Sequence, residues 1–129
     1  MPRWATGVFL ATLCLVVAEP GYAEDAMPSR LRRSLSVSLF VAAQATVAVD
    51  MAQTLRIRDT PGLRETNPLL GPRPADGEIL ALFGARLAFN TLAYVLLPRP
   101  WADALSVVTI SIQVPVIIHN ANLGLTVRF

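Results

Sequence analysis

The chain has 129 residues, of which 53% are hydrophobic and only 16% are charged, whereas soluble domains carry about 25% charged residues. The basic residues are all arginine and are scattered along the chain, and the formal net charge is +2, which excludes a nucleic-acid-binding stripe. One cysteine and one histidine exclude an intramolecular disulfide and a cysteine–histidine zinc cage. The composition therefore favours a one-domain membrane protein.

The first 23 residues predict a secretory signal peptide. Arg3 precedes an apolar stretch over residues 4–18, and small residues before and at Ala23 are typical of a cleavage site. At 1.5 Å per residue this stretch covers about 22 Å of a hydrocarbon core of roughly 30 Å, which favours removal over retention as an anchor. We expect residues 24–129 to form the membrane domain.

Three apolar segments of that domain have the length of transmembrane helices. Residues 34–55 contain one charge, Asp50, and residues 78–97 contain one internal charge, Arg86. Residues 101–120 form the third segment, and a spanning helix needs about 20 residues. The sequence therefore predicts an all-α fold, a small integral membrane bundle of three transmembrane helices.

The connections between the segments differ in length. Residues 56–77 form a Pro-rich loop, because its prolines, including Pro68, prevent a continuous helix. Pro98 and Pro100 leave only a tight turn between the second and third segments. Such a turn makes these two segments antiparallel neighbours.

The last part of the chain also fits another architecture. Residues 108–116 and 123–129 alternate between apolar and polar side chains, a strand pattern that is typical of outer-membrane barrels. Eight strands of about 9–11 residues with their turns would nearly exhaust the membrane domain, and residues 79–97 do not alternate. We favour helices, allow a short strand at residues 123–129, and keep an outer-membrane protein as an alternative.

Each predicted helix carries polar residues at spacings that place them on one face. They are Thr46, Asp50, Gln53 and Thr54 in the first segment, Arg86, Asn90 and Tyr94 in the second, and Ser106, Thr109, Gln113 and Asn120 in the third. Because ionisable groups in a membrane need a partner, we expect the stripes to meet. Asp50 and Arg86 lie about 8 and 12 Å inside the same membrane face, which predicts an ion pair that links two helices.

A second interpretation of the same residues is a proton relay or binding site, with His119 as its titrating partner, but we prefer the structural link. Metal binding by Asp50, Glu65 and His119 is disfavoured, because these residues lie on three separate elements and Arg86 would oppose a cation. The sequence shows no nucleophile–base pair, phosphate loop or paired carboxylates. We predict neither an enzyme nor a bound cofactor.

Residues 65–71 are the most distinctive part of the loop. Asn67 precedes Pro68, so its backbone is extended or turning, and its side chain is suited to capping its own turn. From this position Glu65 can reach the end of the first helix or Arg86. An ordinary solvated turn explains the spacing equally well.

Four motifs together resemble a group of short proteobacterial membrane proteins of unknown function. The motifs are Asp-Met-Ala-Gln-Thr at residues 50–54, Glu-Thr-Asn-Pro-Leu-Leu-Gly at 65–71, Tyr-Val-Leu-Leu-Pro at 94–98 and His-Asn-Ala-Asn-Leu-Gly at 119–124, with Phe129 last. The resemblance implies an export signal followed by a small helical membrane domain with an Asp-x-x-Gln-Thr…Glu-Thr-Asn-Pro-x-Leu-Gly pattern. It places that pattern on Asp50, Gln53, Thr54, Glu65, Asn67, Pro68, His119 and Asn120. Arg86 lies outside the pattern, and no activity is implied.

The leading hypothesis is a structural or interaction subunit of the bacterial inner membrane, in a homo-oligomer or a larger membrane complex. The alternative is a small transporter or ion-conducting oligomer in which Asp50 and Arg86 line a path. If the signal is removed, the loop and the C-terminus lie in the cytoplasm. Counting arginines on the two sides gives five against four, which does not decide the orientation.

Overall fold

The computed structural model describes residues 28–125 except residues 58, 61, 66 and 68. The predicted signal peptide, Pro68 and the last four residues of the predicted terminal strand therefore lie outside the described residues. Residues 123–125, the described part of that strand, form a turn and its exit.

Three helices make up most of the described chain, as the sequence predicts. Helix α1 is Ser29–Ile57, α2 is Asp76–Leu96 and α3 is Arg99–Asn122. Each is long and apolar enough to cross a membrane. The described residues contain no strand, and the alternating residues 108–116 lie on α3, so the helical interpretation of this segment is confirmed.

Helix α1 starts five residues earlier than the apolar pattern predicts. Its 29 residues correspond to about 43 Å, which is more than the roughly 30 Å of a hydrocarbon core. The additional residues include the arginines at positions 30, 32 and 33. This charged first part of α1 therefore extends beyond the apolar layer.

The two helices that pack most extensively are α1 and α3, although α2 separates them in the sequence. Contacts join the start of α1 to the start of α3, and the end of α1 to the end of α3, so these helices run parallel. Helix α2 runs antiparallel to both. The predicted tight turn connects α2 directly to α3, yet the interface between these two helices is the smallest of the three.

The helix ends follow local sequence signals. Glu78 Oε2 accepts a hydrogen bond of 2.8 Å from the Ala75 N–H at the start of α2, and Pro100 stands in the first turn of α3, where its missing N–H costs nothing. At the end of α3, Gly124 has φ +85°, and the Leu125 N–H bonds to the Asn120 carbonyl at 3.0 Å. This Schellman turn directs Leu125 back into the bundle.

An apolar cluster joins α1, α2 and the loop. Val47 on α1 packs with Ile79 and Phe83 on α2, and Leu70 enters the same cluster from the loop. The loop is thereby fixed to the helices by a buried side chain.

Many of the large apolar side chains outside this cluster face outward. In the most apolar 18-residue windows of α1, α2 and α3, only 22%, 17% and 22% of the residues are buried. Exposed large side chains occur on all three helices, among them Val41, Leu92 and Ile118. Water would oppose this arrangement, whereas lipid tails are as apolar as the side chains, so the distribution is that of transmembrane helices.

Candidate functional site: a polar interior

Seven polar side chains are buried among the described residues, and we call them the polar interior. They are Ser36, Asp50, Gln53, Thr54, Ser106, Thr109 and Gln113. All seven belong to α1 or α3. The sequence correctly predicts that polar stripes of these two helices are buried, although it does not single out Ser36.

Small residues bring α1 and α3 close together. Ala43 on α1 and Ala102 on α3 are almost completely buried, and Ser106 continues the α3 surface one turn further. The Ser106 hydroxyl donates to the Ala102 carbonyl at 3.0 Å, which satisfies it within its own helix. Close backbone approach through small residues is typical of helix pairs in membranes.

One strong contact lies where α1 and α3 begin, which we call the first face. The Ser36 hydroxyl donates to Asp103 Oδ1 at 2.6 Å, a short, charge-assisted hydrogen bond. Neither Ser36 nor Asp103 belongs to a polar stripe predicted from the sequence. An acidic residue so close to the start of an apolar helix is a signal that could have identified Asp103.

Halfway along the bundle, Gln44 joins α1 to α2. Its Nε2 donates to the Thr91 hydroxyl at 2.8 Å and to the Leu87 carbonyl at 3.2 Å. Asn90 donates to Gln44 Oε1 at 3.5 Å, so this predicted residue takes part in a helix–helix contact. Gln44 itself was missed, because it lies outside the predicted stripe of α1.

Tyr94 contributes through its ring. The Phe40 and Tyr94 rings stack with centroids 4.3 Å apart, and the Arg99 guanidinium lies 4.5 Å from the Tyr94 centroid. This places Tyr94 near the first face. The side chain links α2 to α1 and covers the charge of Arg99.

The opposite end of the bundle, where α1 and α3 end and the loop lies, is the second face. Here Gln53 Nε2 donates to the Leu125 carbonyl at 2.9 Å and to the Ile117 carbonyl at 3.2 Å. The Schellman turn after α3 brings Leu125 into position. Thr54 is buried beside Gln53, whereas Thr46 is half-buried and donates to its own helix at Ala43.

Asp50 is buried between α1 and α3 and is only 6% exposed. Asn120 Nδ2 approaches its Oδ1 to 3.5 Å, and the Gln113 side chain lies close enough to act on its carboxyl group. These three predicted residues come together as expected. Each of the two partners is neutral and comes from α3.

The predicted direct ion pair between Asp50 and Arg86 is not formed in the described part of the chain. Asp50 faces α3, whereas the half-buried Arg86 directs its guanidinium towards the Phe83 ring, 5.8 Å from the centroid. Arg86 and Glu65 are nevertheless close enough to act on Asp50 electrostatically, with opposite signs. The prediction failed because it used depth along the helices and not their rotation.

The loop residues form the predicted turn. Asn67 Oδ1 accepts from the Leu69 N–H at 3.0 Å, so Asn67 caps its own turn, and Glu65 Oε1 accepts from the Asn67 N–H at 2.8 Å. His119 is exposed. With Glu65 and Asn120 it lines a narrow cavity of about 20 Å³ at the second face.

A larger groove separates α2 from α3 and has a volume of about 370 Å³. Its walls are mostly apolar, but Arg86, Asn90 and Thr109 also line it. Within the described residues, no three His, Cys, Asp or Glu side chains lie close enough together to hold a metal ion. The buried polar side chains of the described residues are amides, hydroxyls and the carboxylate of Asp50.

No family model, curated protein or solved structure matches this chain. The resemblance based on the four motifs therefore stays an expectation.

Proposed function

We propose that this protein is a small integral membrane protein that acts as a structural or interaction subunit. The observation that carries the proposal is that buried and half-buried polar side chains of α1 hydrogen-bond to the other two helices. Ser36, Gln44 and Gln53 each donate across to another helix or to the turn that follows it. Membrane helices are joined by packing and interhelical hydrogen bonds. Such bonds at both faces and at mid-depth favour a rigid arrangement of the three helices, whose outer surface is available for contact with a partner.

The groove between α2 and α3 is the surface that we propose for contact with a partner. Arg86 is the eleventh residue of α2, about 15 Å from its start, and therefore lies halfway across a hydrocarbon core of roughly 30 Å. Lipid tails cannot hydrogen-bond to a guanidinium group or neutralise its charge, and a charge at this depth needs a partner. Its charge and the neighbouring Asn90 favour a transmembrane helix that carries a carboxylate.

A photocrosslinking experiment tests this contact in the native membrane. We would introduce a benzophenone amino acid at Phe89, which is 61% exposed and lines the groove, and at Leu35 on the outer side of α1 as the control. We expect a protein adduct from position 89 only, and we expect Arg86→Gln to reduce it at least severalfold.

The alternatives give different adducts. An adduct with twice the mass of this chain would show that the partner is a second copy. Lipid adducts alone, or equal protein adducts from positions 35 and 89, would refute the groove as the contact surface. An adduct unaffected by Arg86→Gln would refute the carboxylate partner.

The bacterial inner membrane is the proposed location. The supporting features are the three apolar helices and the predicted signal peptide, which together favour export followed by membrane retention. A fluorescent-protein fusion after Phe129 tests the location and the expected cytoplasmic position of the C-terminus. The fusion should fractionate with the inner membrane and should fluoresce. Recovery with the outer membrane would refute the location, and alkaline phosphatase activity at the same position would reverse the orientation.

A further inference from the structure

A cavity of about 520 Å³ lies at the second face, between the end of α1, the loop and the start of α2. Buried side chains of both helices, Thr54, Ile57 and Ile79, form its floor. Leu63 is half-buried and Arg73 is exposed, and both belong to its rim. The volume lies within the range of about 300–1,000 Å³ that is typical of ligand sites, so the cavity is large enough to hold a ligand.

Two polar groups of this cavity have no partner in the part of the chain that the structure describes. The Thr54 side chain is only 2% exposed, yet its hydroxyl makes no hydrogen bond with a described residue. The Arg73 guanidinium group forms neither a hydrogen bond nor an ion pair with a described residue. Because buried polar groups are almost always hydrogen-bonded, the Thr54 hydroxyl indicates a polar ligand in the cavity.

The chemistry of these two groups favours an anion. A guanidinium group only donates hydrogen bonds, and a hydroxyl group can also donate. Among the described residues no carboxylate lines the cavity. Asp76 and Glu78 stand in the first turn of α2 without lining it, and the Glu78 carboxylate accepts from the Ala75 N–H at 2.8 Å. Phosphate suits the guanidinium group well, because the two can form a pair of parallel hydrogen bonds.

The depth of the cavity corresponds to the headgroup layer of a bilayer, which extends about 5–8 Å beyond the hydrocarbon core. Ile57 ends α1, and Ile79 lies about 4–5 Å after the start of α2. Arg73 precedes α2 by three residues and therefore lies at the level of the lipid phosphates. The apolar floor lies deeper, at the level of the glycerol group and the first acyl carbons. The polar and apolar parts of the cavity are thus ordered like those of a phospholipid.

We propose that this cavity binds the phosphate headgroup of an anionic phospholipid. Arg73 and Thr54 donate hydrogen bonds to the phosphate oxygens, and Ile57, Leu63 and Ile79 contact the glycerol group and the upper part of the acyl chains. Zwitterionic lipids bind less well, because their additional cationic group is repelled by Arg73. The site goes beyond a structural or interaction role and does not depend on a partner in the groove between α2 and α3.

Native mass spectrometry of the full chain, released from detergent micelles, tests the proposal. Phosphatidylglycerol and phosphatidylcholine with the same acyl chains would be added at equal concentrations. We expect one phosphatidylglycerol per chain, retained at least severalfold more than phosphatidylcholine. Arg73→Gln should weaken phosphatidylglycerol binding by roughly tenfold, because it removes charge-assisted hydrogen bonds. Thr54→Val keeps the shape of the side chain and should weaken binding by roughly threefold through the loss of one neutral donor.

Arg64→Gln is the matched control, because Arg64 is also an exposed arginine of the loop but does not line this cavity. It should leave phosphatidylglycerol binding nearly unchanged. Arg73 is exposed, so Arg73→Gln removes the charge without disturbing the packing of the bundle. Thermal unfolding in detergent gives a second readout on the unaltered chain. Phosphatidylglycerol should raise the unfolding midpoint, whereas inorganic phosphate at the same concentration should not.

The contrary outcomes are distinct. Equal retention of the two lipids, or equal losses of binding in Arg73→Gln and Arg64→Gln, would overturn the proposal and leave the Thr54 hydroxyl to water. A midpoint raised as much by inorganic phosphate as by phosphatidylglycerol would overturn the lipid as the source of the phosphate and indicate a soluble phosphate ligand.

Discussion

The hydrogen bond between Ser36 and Asp103 is the clearest test of how the polar interior stabilises the bundle. Ser36→Ala removes the hydroxyl without changing the backbone or leaving a large cavity. The Ser36 side chain is buried, and its bond to Asp103 Oδ1 measures 2.6 Å. The variant therefore reports on one interaction between α1 and α3.

The expected cost follows from two opposing effects. Hydrogen bonds to charged groups contribute about 1.5–3 kcal/mol in soluble proteins, but interhelical bonds in membranes average about 0.6 kcal/mol and reach about 1.7. The short distance and the charge of Asp103 favour the upper part of this range. Asp103 is only half-buried and can recruit water at the first face, so we expect Ser36→Ala to cost about 1 kcal/mol.

A double-mutant cycle isolates this interaction. Ser36→Ala, Asp103→Asn and the double variant would be unfolded by SDS titration in mixed micelles, with far-UV circular dichroism as the signal. We expect a coupling free energy of about 1 kcal/mol, roughly a fivefold change in the unfolding equilibrium. Helix content before unfolding should be the same in all three variants.

Ser38→Ala is the matched control, because Ser38 lies two residues further along α1 and is exposed. Both substitutions make the same change in helix propensity, which favours alanine by a few tenths of a kcal/mol. Ser38→Ala should therefore be neutral or slightly stabilising. A coupling energy near zero, or an equal loss of stability in both serine variants, would refute the reasoning.

Three further predictions use the same unfolding assay. Phe83→Ala should lower the free energy of unfolding by about 2–3 kcal/mol, since this ring is 1% exposed in the cluster of α1 and α2. Phe89 is exposed, and Phe89→Ala should lower it by less than about 0.5 kcal/mol. Equal losses in the two variants would contradict the packing of Phe83. Gly71→Ala should destabilise the protein by about 1 kcal/mol, because φ is +72° at this residue. Gly77 lies in a helix, and Gly77→Ala should stabilise the protein by about 0.5 kcal/mol. Stability changes of the same sign in the two variants would contradict this explanation. Gln53→Leu should cost about 1 kcal/mol by removing its two bonds to α3 and the following turn, and unchanged stability would contradict their role.

Much of the fold could be predicted because the information is local. The length and apolarity of three segments determine that they can span a membrane, and the prolines determine where the loop and the tight turn lie. The turn at Asn67 is equally local, since its side chain bonds two residues ahead. Burial of Asp50, Gln53 and Gln113 followed from the cost of placing polar groups in lipid.

The partner of each polar group could not be predicted in the same way. Depth along two helices is readable from residue numbers, but the rotation of each helix about its axis depends on packing of the whole bundle. Asp50 therefore faces the amides of α3, and Arg86 instead approaches Phe83 and the groove. The contacts of Gln44 and Asp103 were missed for the same reason.

The sequence by itself determined the three spans, their connections and which residues are too polar for lipid, because hydropathy and backbone restrictions act over a few neighbouring residues. Only the tertiary structure decided that α1 and α3, which are not consecutive, form the closest pair and that Leu125 returns to accept a bond from Gln53. The physical reason is that buried small side chains, such as Ala43 on α1 and Ala102 on α3, allow close approach, and that Ser36 and Gln53 donate hydrogen bonds at the two ends of this pair. Which surfaces of the helices pack together depends on all three helices at once.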